Sequence, residues 1–159
     1  MRPFVMALAL TTAVSVAAAA PALAQAPAAA PAAPAANQRL FNGDGGVVLH
    51  YIVAEKANDF EAAMAKVKEA LQKSPKPERK QQAATWKVFK AGPGPAGIVL
   101  YAFVIDPSVK NVDYSIGAIL VEGLGEEGRT VYQQYADCYP KTGPSQVVIN
   151  LDLLSDFSK

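Results

Sequence analysis

The stretch Ile98-Val99-Leu100-Tyr101-Ala102-Phe103-Val104-Ile105 has no charged residue and no glycine or proline, and Val47-Val48-Leu49-His50-Tyr51-Ile52-Val53 is nearly as apolar. β-Branched and aromatic runs of this kind read as strands. Successive side chains of a strand point to opposite faces, so a run that is apolar at both parities needs cover on both sides of its sheet. No other feature of the chain restricts its fold as strongly.

The remaining elements follow from periodicity and turn residues. The first strand is read over Val47 to Ala54, after the turn-rich Asn42-Gly43-Asp44-Gly45-Gly46. Asn58 and Glu61 have capping-box spacing, and Phe60, Met64, Val67 and Leu71 recur at helical intervals, which predicts a helix over Asn58 to Lys73. Ser74-Pro75-Lys76-Pro77 stops it, and Lys73, Lys76, Arg79 and Lys80 then read as a mildly basic, solvated connection. Thr85 to Lys90 is a second strand, joined to the Ile98–Ile105 strand by the hairpin loop Ala91-Gly92-Pro93-Gly94-Pro95-Ala96-Gly97. From Asp113 to about Tyr139 the apolar spacing predicts a second helical region in two pieces, bent near Gly123 and Gly125; Gln146 to Leu154 is the last strand. The order βαββαβ predicts an α+β, ferredoxin-like four-stranded antiparallel sheet with both helices on one face.

Helices on one face leave the other bare. The parity Val47, Leu49, Tyr51, Val53, Trp86, Val88, Leu100, Val104, Val147, Ile149 and Leu151 is assigned to the helices. The parity Val48, His50, Ile52, Lys87, Phe89, Val99, Tyr101, Phe103, Val148, Asn150 and Asp152 is then left over, too apolar to stay wet. Burying its six largest apolar members at about 1.5–3 kcal/mol each offers roughly 9–18 kcal/mol per chain as an upper bound, against roughly 4–15 kcal/mol lost on association. A face-to-face homodimer is the expected solution.

Composition narrows the function. The chain has 159 residues, 15 Lys and Arg, 14 Asp and Glu, one His and one Cys. Near-zero net charge argues against a strongly basic nucleic-acid binder, and a single His and a single Cys leave no internal disulfide and exclude most self-contained zinc sites. Residues Met1 to Ala24 pair Arg2 with an apolar run ending in Ala22-Leu23-Ala24, the pattern of a cleaved export signal, with a retained anchor as the competing reading. Residues 25–38 are an Ala/Pro-rich disordered spacer, and 39–159 form the folded domain. A periplasmic or secreted protein, off the membrane after processing, is expected.

The stretch from Val47 to Leu154, through Val47-Val48-Leu49-His50-Tyr51, Phe60-Glu61-Ala62-Ala63-Met64 and Thr85-Trp86-Lys87-Val88-Phe89-Lys90, resembles the dimeric α/β-barrel superfamily of antibiotic-biosynthesis-type monooxygenases and stress-responsive barrel proteins. That resemblance implies a barrel-forming homodimer. It also brings a range of chemistries, from cofactor-free oxygenases and lactone isomerases to haem degradation. The haem-degrading members use a His on a helix, and the second helical region here has none, so no cofactor and no metal are expected.

Candidate catalytic residues are His50, Tyr101, Asn150 and Asp152: His50 as base, its tautomer set by Asp152 if the register opposes them, with Asn150 or Tyr101 stabilising an oxyanion. Trp86, Lys87, Phe89 and Phe103 are candidate ligand contacts. The bland reading makes His50 a hydrogen-bonded interface residue and Asp152 a solvated strand end. Cys138, in the apolar stripe ending the second helical region, reads as a small buried hydrophobe. Three functions stay open: a dimer binding a small, partly apolar molecule without catalysis, a cofactor-independent oxygenase or isomerase using His50, and a purely structural dimer module.

Overall fold

The computed structural model describes residues 39–95 and 97–158; the expected export signal (residues 1–24) and the expected spacer (residues 25–38) lie outside the described residues. Strand β1 (Gly45–Val53) leads through a 3₁₀ turn, Ala54–Lys56, into helix α1 (Ala57–Lys73). A second helix, α2 (Pro77–Thr85), precedes β2 (Trp86–Pro93) and β3 (Ile98–Ile105). Helices α3 (Ile116–Leu124) and α4 (Glu126–Ala136) and strand β4 (Gln146–Leu151) complete an α+β domain. The sheet has four antiparallel strands in the order β2-β3-β1-β4.

Three local expectations need correction. Asn58 does not cap α1: the preceding 3₁₀ turn moves the N-cap to Lys56, which places Asn58 inside the helix. The segment after Pro75 is a helix and not a solvated loop. Pro77 occupies its first turn, where the missing N–H costs nothing, and Arg79 and Gln82 are buried. Arg79 Nε donates to Glu122 Oε1 at 3.2 Å and its guanidinium also reaches Gln82 Oε1 and the Asp113 carbonyl, pinning α2 to α3 and to the loop before it. Finally, β4 stops at Leu151, and residues 152–158 leave the sheet.

The expected break in the second helical region is present. Gly125 has φ 61°, a left-handed conformation that favours glycine, and it separates α3 from α4. Gly123 serves packing: a Cβ there would lie 2.5 Å from the Ala70 carbonyl oxygen, so its bareness lets α3 approach α1.

The faces of β1, β3 and β4 are the reverse of the expected assignment, while β2 keeps it, with Trp86 and Val88 toward the helices and Lys87 and Phe89 away from them. One continuous core contains Val48, Ile52, Tyr101, Phe103 and Ile105 from the sheet together with Phe60, Val67 and Leu71 of α1, Ile119 and Leu120 of α3 and Tyr135 of α4. Cross-strand pairing puts His50 beside Tyr101 and Gln146, and Phe103 beside Val48 and Val88, so Trp86, Val88, Gln146, Val148 and Asn150 share the helix-covered parity. The bare face carries Val47, Leu49, Tyr51, Lys87, Phe89, Leu100, Val104, Val147, Ile149 and Leu151. Both parities are apolar, and the choice between them rests on which side chains find partners across the layers. Tyr101 and His50 carry polar groups on large rings. Under the helices Tyr101 meets Glu61 and His50 meets Tyr139, whereas Leu49 and Val104 need no partner.

Candidate functional site

His50 sits at the middle of the helix-covered face with 0% exposure. Its ring centroid is 3.9 Å from that of Phe103 and 5.7 Å from that of Phe60. Nδ1 lies 2.6 Å from Tyr139 Oη, and the Tyr139 and Tyr135 hydroxyl oxygens are 2.5 Å apart. Gln146, directly opposite His50 on β4, donates through Nε2 to Tyr135 Oη at 2.8 Å and to Tyr139 Oη at 2.6 Å. Arg39 Nη2 in turn donates to Gln146 Oε1 at 2.5 Å. The backbone of Arg39 is held as well, its N–H reaching Asp113 Oδ1 at 2.8 Å. A chain of polar groups therefore runs from the imidazole through two phenols and an amide to a partly exposed guanidinium.

Removal from water, with the Arg39 charge adding to it, pulls the His50 pKa from 6.5 down to about 3, so the imidazole is neutral at pH 7. Burial pushes the Tyr135 phenol up to about 12 and raises Tyr139 as well. All members of the network are uncharged except Arg39 at its rim. A general base needs access to substrate and a pKa near the working pH, and His50 has neither in this conformation. His50 Nε2 and Trp86 Nε1 are buried without a hydrogen-bond partner, and both rings pack against Phe103, with centroids 3.9 Å and 5.4 Å away.

The expected constellation is not assembled. Asn150 pairs with Gly46, and Asp152 lies beyond Leu151, which itself pairs with Gly45, so both sit at the far end of β1 from His50. The side chain of Asn150 accepts the Asn42 N–H at 3.1 Å, and both residues are exposed. Tyr101 is the direct cross-strand neighbour of His50, but its hydroxyl donates to Glu61 Oε1 at 2.6 Å, toward the rim of α1. Burial, then the bond to Glu61, raise that phenol to about 12. Of the expected ligand contacts, Trp86 and Phe103 lie under the helices while Lys87 and Phe89 lie on the bare face, so the set is divided by the sheet. Lys87 is also removed from Tyr101 by this inversion.

The partners that His50 does have, Tyr135, Tyr139, Gln146 and Arg39, were not anticipated. One signal was legible: Tyr135 and Tyr139 are four residues apart where the second helical region ends, and the chain has a single imidazole for them to meet. Cys138, in the same helix end, is 0% exposed with Sγ 3.1 Å from the Gln134 carbonyl, and burial pushes the thiol up.

Two concavities lie elsewhere. One, of about 330 Å³, runs between α1 and α4 over Ala62, Lys66 and Val131; the other, of about 470 Å³, lies between Gln81, Thr85 and Lys110. Among the described residues no three His, Cys, Asp or Glu side chains gather into a metal site, and no helix is long and apolar enough to cross a membrane. The fold and this network define an α+β protein with an open four-stranded sheet and an internally bonded, uncharged His–Tyr–Tyr–Gln core. Comparison of the chain with protein-family models, curated proteins and solved structures finds no match.

Proposed function

We propose that this is an exported, non-catalytic assembly module: a ferredoxin-like domain that forms a two-fold dimer through the bare face of its sheet. The carrying observation is that face. Val47, Leu49, Tyr51, Leu100 and Val104 on the central strands are partly exposed, and Phe89, Val147, Ile149 and Leu151 are 50%, 38%, 41% and 40% exposed. A contiguous apolar surface of this extent marks an interaction site. The strand order supports the ferredoxin-like reading, since both central strands, β1 and β3, then present their apolar parity at the middle of the contact. The buried, neutral network around His50 fits a module whose core is built for packing. Export rests on the pattern of Met1 to Ala24.

Sedimentation equilibrium of the processed protein tests the proposal. A dimer at micromolar concentration is expected, with Leu49→Asp folded and monomeric. A wild-type monomer at about 10⁻⁴ M corresponds to less than about 5.5 kcal/mol of association and overturns it.

A second reading is favoured by His50 Nε2 and Trp86 Nε1, the buried nitrogens without partners. It has a small, partly apolar molecule with a hydrogen-bonding oxygen held between sheet and helices. A thermal-shift screen with aromatic aldehydes and ketones tests it: a rise in Tm that Trp86→Phe abolishes is expected, and no rise with any compound removes it.

A further inference from the structure

We propose that residues 152–158 form an arm that closes over a second copy of this chain, with Leu154 and Phe157 as its anchors. The inference rests on the bare-face dimer proposed above. Leu153, Leu154 and Phe157 are 66%, 99% and 98% exposed, so the arm is not folded back on its own sheet. Its root is nevertheless fixed. Leu153 N–H donates to Asp44 Oδ2 at 2.9 Å, and at Gly43 an added Cβ would collide with the Leu151 carbonyl, so the chain leaves β4 pressed against the Asn42–Asp44 turn. A tethered segment ending in bare leucine and phenylalanine side chains is built to be covered.

Area and charge both select a second copy as the cover. Four strands about 4.8 Å apart and about 8 residues long at about 3.3 Å each present a plane of about 500 Å². A standard interface needs about 800 Å² from each partner. Burying the three side chains of the arm, with a phenylalanine contributing about 150–250 Å², supplies the remainder. The arm also carries Asp152 and Asp156, and on the bare face the one charged side chain among the described strand residues is Lys87. Lys87, on edge strand β2, lies at the same end of the sheet as the arm root, because Trp86, Ile105, Gly46 and Asn150 form one transverse row. A two-fold axis along the strand direction lays the β4 edge of one copy over the β2 edge of the other. That arrangement brings the acidic arm to the partner's Lys87.

The experiment uses the processed full-length protein. Leu154→Ser/Phe157→Ser leaves all contacts of the single chain in place, so the circular-dichroism spectrum is expected to be unchanged while the dimer dissociation constant rises at least about a hundredfold. Benzoylphenylalanine at position 157 is expected to give a cross-linked dimer whose attachment maps to the β2 peptide. If the double variant dimerises as tightly as wild type, or the cross-link stays within one chain, the arm is refuted while the bare-face dimer stands. If wild type is monomeric, the dimer itself fails and the arm with it.

Discussion

His50 makes the protein acid-sensitive, and the upper part of its window lies above the range where carboxylates titrate. In the unfolded chain its imidazole titrates at 6.5; in the fold, burial and then the Arg39 charge hold it at about 3. Between those values the unfolded chain binds a proton that the folded one refuses, so stability rises with pH and is lost as pH falls from 6.5 toward 3. Each pH unit in the window removes up to about 1.4 kcal/mol, so about 3 kcal/mol is lost between pH 7 and pH 4, of the order of a third of a typical domain's stability. Carboxylates begin to act only below about pH 5. The slope between pH 6.5 and pH 5 therefore belongs to His50. Replacing it by His50→Gln keeps a polar side chain near Tyr139 and removes the titration. Urea unfolding at fixed protein concentration, repeated at half-unit steps from pH 7.5 to pH 4, is the assay. Wild type is expected to lose about 2 kcal/mol between pH 6.5 and pH 5, and His50→Gln to stay flat there. Parallel curves, or an imidazole resonance titrating near 6.5 in the folded protein, would refute the reasoning.

Two further predictions test the helical layer. Glu122 is pushed up by burial, but bonds from Arg79, Lys76 and Ser74 outweigh this and bring it to about 2. Its contribution is complete above pH 4.5 and is lost as pH falls toward 2, so Glu122→Gln should cost about 2 kcal/mol at pH 7 and nearly nothing at pH 2, read by the same denaturation series. Gly123→Ala forces a Cβ against the Ala70 carbonyl and should cost about 1–3 kcal/mol by separating α1 from α3, visible as a lowered Tm with unchanged helix content.

Local chemistry made most elements legible. The apolar spacing of Phe60, Met64, Val67 and Leu71 marks α1, and Gly125 marks the α3–α4 break, because both effects act within a few residues. Helix α2 escaped because Pro77-Glu78-Arg79-Lys80-Gln81-Gln82 has no apolar stripe; the helix is held by Arg79 and Gln82 reaching Glu122 and the Asp113 carbonyl, partners more than thirty residues away. The candidate site depended on parity and register. With apolar residues at both parities of β1 and β3, hydrophobicity is nearly indifferent to which face the helices cover.

What the amino-acid sequence determines by itself is therefore the set of strands, the bent helical region and the presence of more apolar sheet surface than the helices of one chain can cover. Only the tertiary structure decides that Val48, His50 and Tyr101 turn inward while Leu49, Val104 and Ile149 stay on the bare face, and that His50 faces Gln146 in place of Asp152. The reason is that buried polar groups must find partners. Tyr135 and Tyr139 on the end of α4 and the turn after it, and Gln146 at the start of β4, supply them on one face alone, and no reading of a single segment contains that pairing.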